Sequence, residues 1–151
     1  MLRLLVASAV LASVVAAAAA MSAATATGPA SIRVTDEQSR LVNVDVGRRG
    51  RSPGDMEIVT ARVYNRRIRD RAIGHWELLC TFTIGVRRSC RGTIFLPKGK
   101  LVVGGSIRYR ELYELAILGG TGLYDNARGT LTVTRLQRKP RRQFLYFRLT
   151  G

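Results

Sequence analysis

Residues 114–133 read ELAILGGTGLYDNARGTLTV, two runs of strand-forming residues separated by a segment that holds Gly119, Gly120, Gly122 and Gly129. Such a turn has two physical readings. In a phosphate cradle, a Gly-rich turn leads into Lys-Ser or Lys-Thr and then into a helix whose N-terminus faces the anion. Here no lysine follows the glycines, and the six residues between Gly122 and Gly129 are too few for a helix. A dinucleotide-binding turn fails on the same missing helix. The remaining reading is a strand connection, in which Gly119, Gly120 and Gly122 supply backbone freedom where one strand stops and Gly129 opens the next.

Outward from this stretch the periodicity stays that of strands. Eight are predicted, at residues 39–46, 56–65, 72–84, 89–96, 100–109, 114–118, 129–137 and 142–150. The alternation is clearest in GTLTVTRLQ, where Thr130, Thr132 and Thr134 share one face and Leu131 and Val133 the other. In QFLYFRL, Phe144, Tyr146 and Arg148 oppose Leu145, Phe147 and Leu149. The connections RRGRSPGD, NRRIRD, PKGK and RKPRR are too brief for crossover helices, so neighbouring strands should pair antiparallel. Eight short-looped antiparallel strands predict an all-β fold closed into an up-and-down barrel.

The chain has 151 residues, the size of one domain. Residues 1–26 carry a positive charge at Arg3, an alanine-rich apolar run and an Ala24-Thr25-Ala26 ending, the pattern of a secretory signal peptide. A secreted barrel domain is therefore expected over residues 27–151. Cysteine usage suits that address. Cys80 and Cys90 are the only two, and a hairpin centred near Gly85 sets them opposite each other, so a cross-strand disulfide is expected.

Charge is the strongest compositional feature: 25 Lys and Arg against 10 Asp and Glu, a net charge of +15. Of the basic residues 22 are arginine, and they fall in turns rather than along a helix stripe. No nucleic-acid recognition motif accompanies them, so nucleic acid is not the expected partner. In an up-and-down barrel the turns holding Arg48, Arg49, Arg51, Arg87, Arg88, Lys139, Arg141 and Arg142 meet at one rim, which suits an anionic ligand or envelope surface, or merely a solvated edge.

The segments GKLVVGG at 99–105, YRELYELAILGGTGLYDNARGTLTV at 109–133 and the ending FLYFRLTG resemble the plant allene oxide cyclases, and the GGTG segment also resembles the dirigent proteins. Upstream, SPGDMEIVTARVYN and IGHWELLC are similar to the corresponding cyclase strands, so the resemblance spans residues 41–151. It implies a calycin-like, allene oxide cyclase-like eight-stranded barrel with an apolar cavity and no metal or organic cofactor. It further implies an activity based on shape: a cavity that restricts the conformers of a reactive intermediate selects the product.

Residue by residue, the cyclase's Glu-x-Asn falls on Asn43 and Asp45, which the resemblance makes the catalytic candidates. Ser52 and Pro53 match the family's Ser-Pro, an asparagine of the next strand corresponds to Ala61, and Cys80 matches a cysteine that lines the pocket. A free Cys80 would contact ligand, whereas a bridge to Cys90 would serve stability. His75, the only histidine, is a further ligand-binding or acid–base candidate, with a structural hydrogen-bonding role as its alternative. The expected function is binding a small lipophilic or aromatic, for instance phenolic, intermediate and steering its cyclisation or coupling. A non-catalytic ligand carrier and a basic nucleic-acid or envelope-binding module are the alternatives, and a homo-oligomer is compatible with all three.

Overall fold

The computed structural model describes residues 29–65, 71–108 and 111–150. The expected signal peptide lies outside the described residues. Eight antiparallel strands close into one barrel in the order β1 to β8. They are β1 (Ser31–Val44), β2 (Met56–Tyr64), β3 (Gly74–Phe82), β4 (Arg87–Leu96), β5 (Gly99–Arg108), β6 (Leu112–Gly120), β7 (Arg128–Gln137) and β8 (Arg142–Thr150). A single 3₁₀ turn, η1 (Gly122–Tyr124), interrupts the β pattern among the described residues.

The alternation read from β7 and β8 holds. Leu131, Val133, Leu145 and Phe147 are fully buried, and their neighbours on the other face are not. Two expectations need correction. The first strand begins at Ser31 rather than Ser39, and the sixth extends from Leu112 to Gly120. The missed half of β1, SIRVTDEQ, carries Asp36 toward the interior, so it lacks the apolar alternation that marks its neighbours.

A bulge in β1 has direct bearing on the site. Gln38 pairs with Ala61 and Arg40 with Thr60, leaving Ser39 as the extra residue. One inserted residue exchanges the faces of a strand. Asp36 therefore faces inward before the bulge, and Leu41 and Asn43, opposite Val59 and Glu57, lie on the inner-facing side after it.

At the far end of the barrel the glycine-rich connection is structural. Gly122 has φ of 65°, and its amide-flanked turn is fixed by Leu123 N–H donating to the Lys98 carbonyl at 2.9 Å. Val63, Ile94, Leu101, Leu131 and Phe147 fill the interior there, each fully buried.

Cys80 and Cys90 are directly opposed on β3 and β4, both face the interior, and they form the disulfide expected from the hairpin. The bridge closes a short loop, with a sequence separation of 10. Loop-closure entropy for that length gives a stabilisation of about 2–3 kcal/mol. Replacing both cysteines with alanine should lower the thermal midpoint by roughly 10 °C, given about 4 °C per kcal/mol where the ranges for smaller and larger domains meet. Differential scanning calorimetry checks this, and an unchanged midpoint would mean the bridge merely joins strands already held in register.

Candidate functional site at the arginine-rich end of the barrel

The interior is divided along the barrel axis. Opposite its apolar half, at the end where β2, β4, β6 and β8 begin, the inward positions are Glu57, Arg88, Tyr113 and Gln143. Asp36 joins them across the β1–β8 pairing, directly opposite Gln143. Burying ionisable groups in a barrel core costs free energy unless they are paired, so this cluster does not arise from core packing.

Asp36 is 1% exposed, and its carboxylate accepts the Gln143 backbone N–H at 2.9 Å. Burial drives its pKa up from 3.8 to about 7, against the opposing pull of Trp76, the Gln143 N–H and the Arg141 charge. The Trp76 indole N–H lies beside this carboxyl and is the largest of the influences that lower its pKa, although it is not aligned as a full hydrogen bond. Tyr113 is buried next to the same acid. Burial first, then the Asp36 charge, hold its phenol far above the ordinary range, so it stays protonated as a donor.

Two arginines expected at a solvated rim instead reach into this cluster. Arg88 is 4% exposed and is paired with Glu57. Burial, with repulsion from Arg51 and Arg141, brings its pKa down to about 10, which leaves it charged at neutral pH. Arg141 is half-buried, its pKa lowered by burial and supported by Asp36. The Arg88 and Arg51 guanidinium carbons lie 5.0 and 4.8 Å from the Phe82 ring centroid. Cations over an aromatic face, beside a shared carboxylate, form a layer on the β2–β4 side of the barrel.

That layer separates two spaces. Above it, an open cleft of about 370 Å³ is lined by Leu41, Asn43, Asp45, Arg51, Glu57 and Phe82, among others. Below it, a void of about 20 Å³ is bounded by Trp76, Leu78, Cys80, Arg88, Tyr113 and Gln143, with Glu57 common to both. The void is the size of one water molecule. Among the described residues, the apolar cavity implied by the family resemblance is thus a mostly filled interior, and the space of ligand size at this end is the cleft.

The sequence-derived candidates distribute as follows. Asn43 and Asp45 both line the cleft. Asp45 also accepts the Gly50 N–H at 3.1 Å, which ties it to loop geometry. Ser52 belongs to the adjoining loop, where its N–H donates to Asp55 at 2.6 Å and its hydroxyl donates to the same carboxylate at 3.2 Å. The Val46 N–H completes this arrangement at 2.8 Å. These hydrogen bonds, Val46 first, hold the Asp55 carboxyl below its usual range. The group is covered by its own loop rather than sunk in the core. Pro53 is exposed in that loop. Cys80 borders the inner void, but as half of a disulfide it presents no thiol. His75 is apart from all of these on the outer face, stacked on Phe95 with ring centroids 4.3 Å apart. Among the described residues, no three His, Cys, Asp or Glu side chains gather as a metal site would require.

Asp36, Glu57 and Gln143 were not singled out by the sequence reading, whereas Arg88 and Arg141 were placed at a rim suited to an anionic ligand. The available signal was two acids and an arginine, Asp36, Glu57 and Arg88, at strand positions whose parity points inward.

No family model matches the chain, and no curated protein matches it. Solved structures do. Pyocyanin demethylase superposes with a TM-score of 0.70 at 24% identity, over 80% of this chain and 99% of that one. The likeness is one of fold. The Diels-Alderase AbmU from Streptomyces koyangensis matches with a TM-score of 0.64 at 18% identity, over 79% of this chain and 64% of that one. A pterocarpan synthase dirigent protein matches with a TM-score of 0.59 at 13% identity, over 79% and 81%. The eight-stranded closed barrel is therefore the architecture of the dirigent and cyclase barrels to which the sequence bears a resemblance.

Proposed function

We propose that this barrel binds a small lipophilic or aromatic molecule at its arginine-rich end and steers its cyclisation or a related rearrangement with its own side chains. The observation that carries the reading is the set of buried Asp36, Tyr113 and Arg88 with half-buried Arg141, beneath an open cleft of about 370 Å³. An acid with a pKa of about 7 exchanges a proton near neutral pH, where general acid–base catalysis is most effective. A permanently protonated phenol donates a hydrogen bond, and two fixed cations stabilise negative charge that develops on a ligand in low-dielectric surroundings.

Selection among products needs little energy. A difference of about 2.7 kcal/mol between competing transition states gives a 100-fold bias. A cleft wall formed by Leu41 and Phe82, with Asn43 and Asp45 as polar markers, supplies the asymmetry that orients a ligand. Three solved structures of this fold have names that describe work on small organic molecules: a demethylase of pyocyanin, a Diels-Alderase and a pterocarpan synthase. Their names support a small-molecule ligand here, and the disulfide supports the exported address expected from residues 1–26.

The only tryptophan, Trp76, borders the inner void and provides the test. Titration with planar aromatic and polyene compounds is expected to change its fluorescence saturably, and Asp36→Ala or Arg88→Met should weaken the response at least tenfold for a responsive compound. Turnover of a bound compound to a product of altered stereochemistry identifies a catalyst, and saturable binding without turnover identifies a carrier. A panel in which no compound perturbs Trp76 would sink both.

A further inference from the structure

The four connections at the site end carry an unusual set of side chains. Nine large apolar residues are prominently exposed among the described residues; three of them stand in these connections, Val46, Ile84 and Val86, and two more, Leu112 and Leu136, in the strand ends beside them. Among the described residues, none stands in a connection at the opposite end. Scattered surface apolar residues are ordinary, but their concentration at one end of a barrel is not. Ile84 and Val86 flank Gly85 at the tip of the β3–β4 turn, with Ile84 79% exposed, and Leu136 is 60% exposed at the β7 bulge.

Arginine accompanies three of these tips. Arg48 and Arg49 follow Val46, Arg87 follows Val86, and Arg138 follows Leu136, all exposed. Exposed acids at this rim are fewer, chiefly Asp45 and Glu111, and Glu111 is already paired with Arg138 at 3.5 Å. Apolar tips interleaved with arginine match a bilayer interface, where the former enter the acyl boundary and the latter meet anionic headgroups. The barrel wall does not fit that environment, because its outward positions include exposed Arg62, Glu77, Arg91, Glu114 and Arg148.

We propose that the site end docks on an anionic lipid surface, with the β1–β2, β3–β4 and β7–β8 connections as the contact and the open cleft facing the membrane. The orientation gives a lipophilic molecule a path from the bilayer to the cleft without crossing water. The contact does not depend on the chemistry proposed for the interior, since vesicle binding and Trp76 titration are separate readouts.

The test is co-sedimentation of residues 27–151, which contain every strand of the closed barrel, with vesicles of phosphatidylglycerol and phosphatidylcholine or of phosphatidylcholine alone. At about 150 mM salt, where distant charges are screened, binding is expected only to the anionic vesicles. Ile84→Ser/Val86→Ser/Leu136→Ser should reduce it at least tenfold, whereas Leu79→Ser/Leu118→Ser on the wall should change it less than about twofold. Unchanged binding of the tip variant would reduce the effect to attraction by a basic chain and overturn the proposal. Absence of vesicle binding, with a self-association that the tip variant abolishes, would assign the tips to a second copy and also overturn it.

Discussion

Replacing Asp36 with asparagine is expected to make the barrel more stable than the parent at pH 8 and no more stable at pH 4. In the unfolded chain this carboxyl ionises near its ordinary value of 3.8, whereas in the barrel it holds its proton up to about 7. Between those values the folded state binds more protons than the unfolded state, so stability falls as pH rises through the window. The stability linked to the neutral acid is complete below pH 3.8 and is lost by the time pH has passed 7. About three pH units correspond to on the order of 4 kcal/mol. Asparagine resembles the protonated acid in shape and keeps an oxygen for the Gln143 N–H, so it removes the slope while preserving the packing.

Asp55 contributes with the opposite sign. Its folded pKa is lowered by the Val46 and Ser52 donors, so its stabilisation is present at neutral pH and is lost as pH falls through that lowered value. Because both proteins retain Asp55, its effect cancels in the comparison. Urea denaturation of both proteins at several pH values provides the measurement, and parallel stability curves would show that Asp36 is not neutral in the folded barrel. The same substitution removes the interior's near-neutral acid, so any activity that needs a proton moved in the site should fall by about 10²–10⁴.

This acid also marks where the sequence was hard to read. Strand identity came from apolar alternation and short turns, and it succeeded where the interior is apolar, as in Leu131-Val133 and Leu145-Phe147. The inward positions at the site end are Asp36, Glu57, Arg88 and Gln143. A polar residue facing a polar interior leaves the same pattern as one facing water, and the first half of β1 consequently fell outside the predicted strand. Arg88 and Arg141 sit beside turns whose other arginines are solvated, so composition placed all of them at the rim. Separating the two kinds required the barrel's closure and the register that sets Arg88 against Ile107 and Phe82. Asn43 and Asp45 were found through resemblance, and the β1 bulge accounts for the inner-side position of Asn43.

Gly129→Ala is expected to destabilise the barrel by more than about 4 kcal/mol, in the range that single substitutions reach only through severe packing or backbone conflict. Gly129 has φ of 130°, which side-chain-bearing residues rarely adopt. A Cβ there would also overlap the Arg148 carbonyl oxygen of β8 and lie 3.3 Å from the Leu149 Cα. Both obstacles are backbone, so no side chain can move aside to relieve them. The residue pairs with Ile117 on β6 and Leu149 on β8, hence a displacement opens two seams beside the buried Leu131 and Phe147. Gly85→Ala is the matching control. Gly85 also has positive φ, at 59°, but open space surrounds its Cβ position, so the cost there is the conformational penalty alone, about 1–2 kcal/mol. Folded yield and urea midpoints of the two variants separate the effects. Equal, modest losses would mean that Gly129 serves only backbone freedom, whereas a much larger loss at Gly129 makes it the point where β7 closes against β8, at the end of the barrel remote from the arginine cluster.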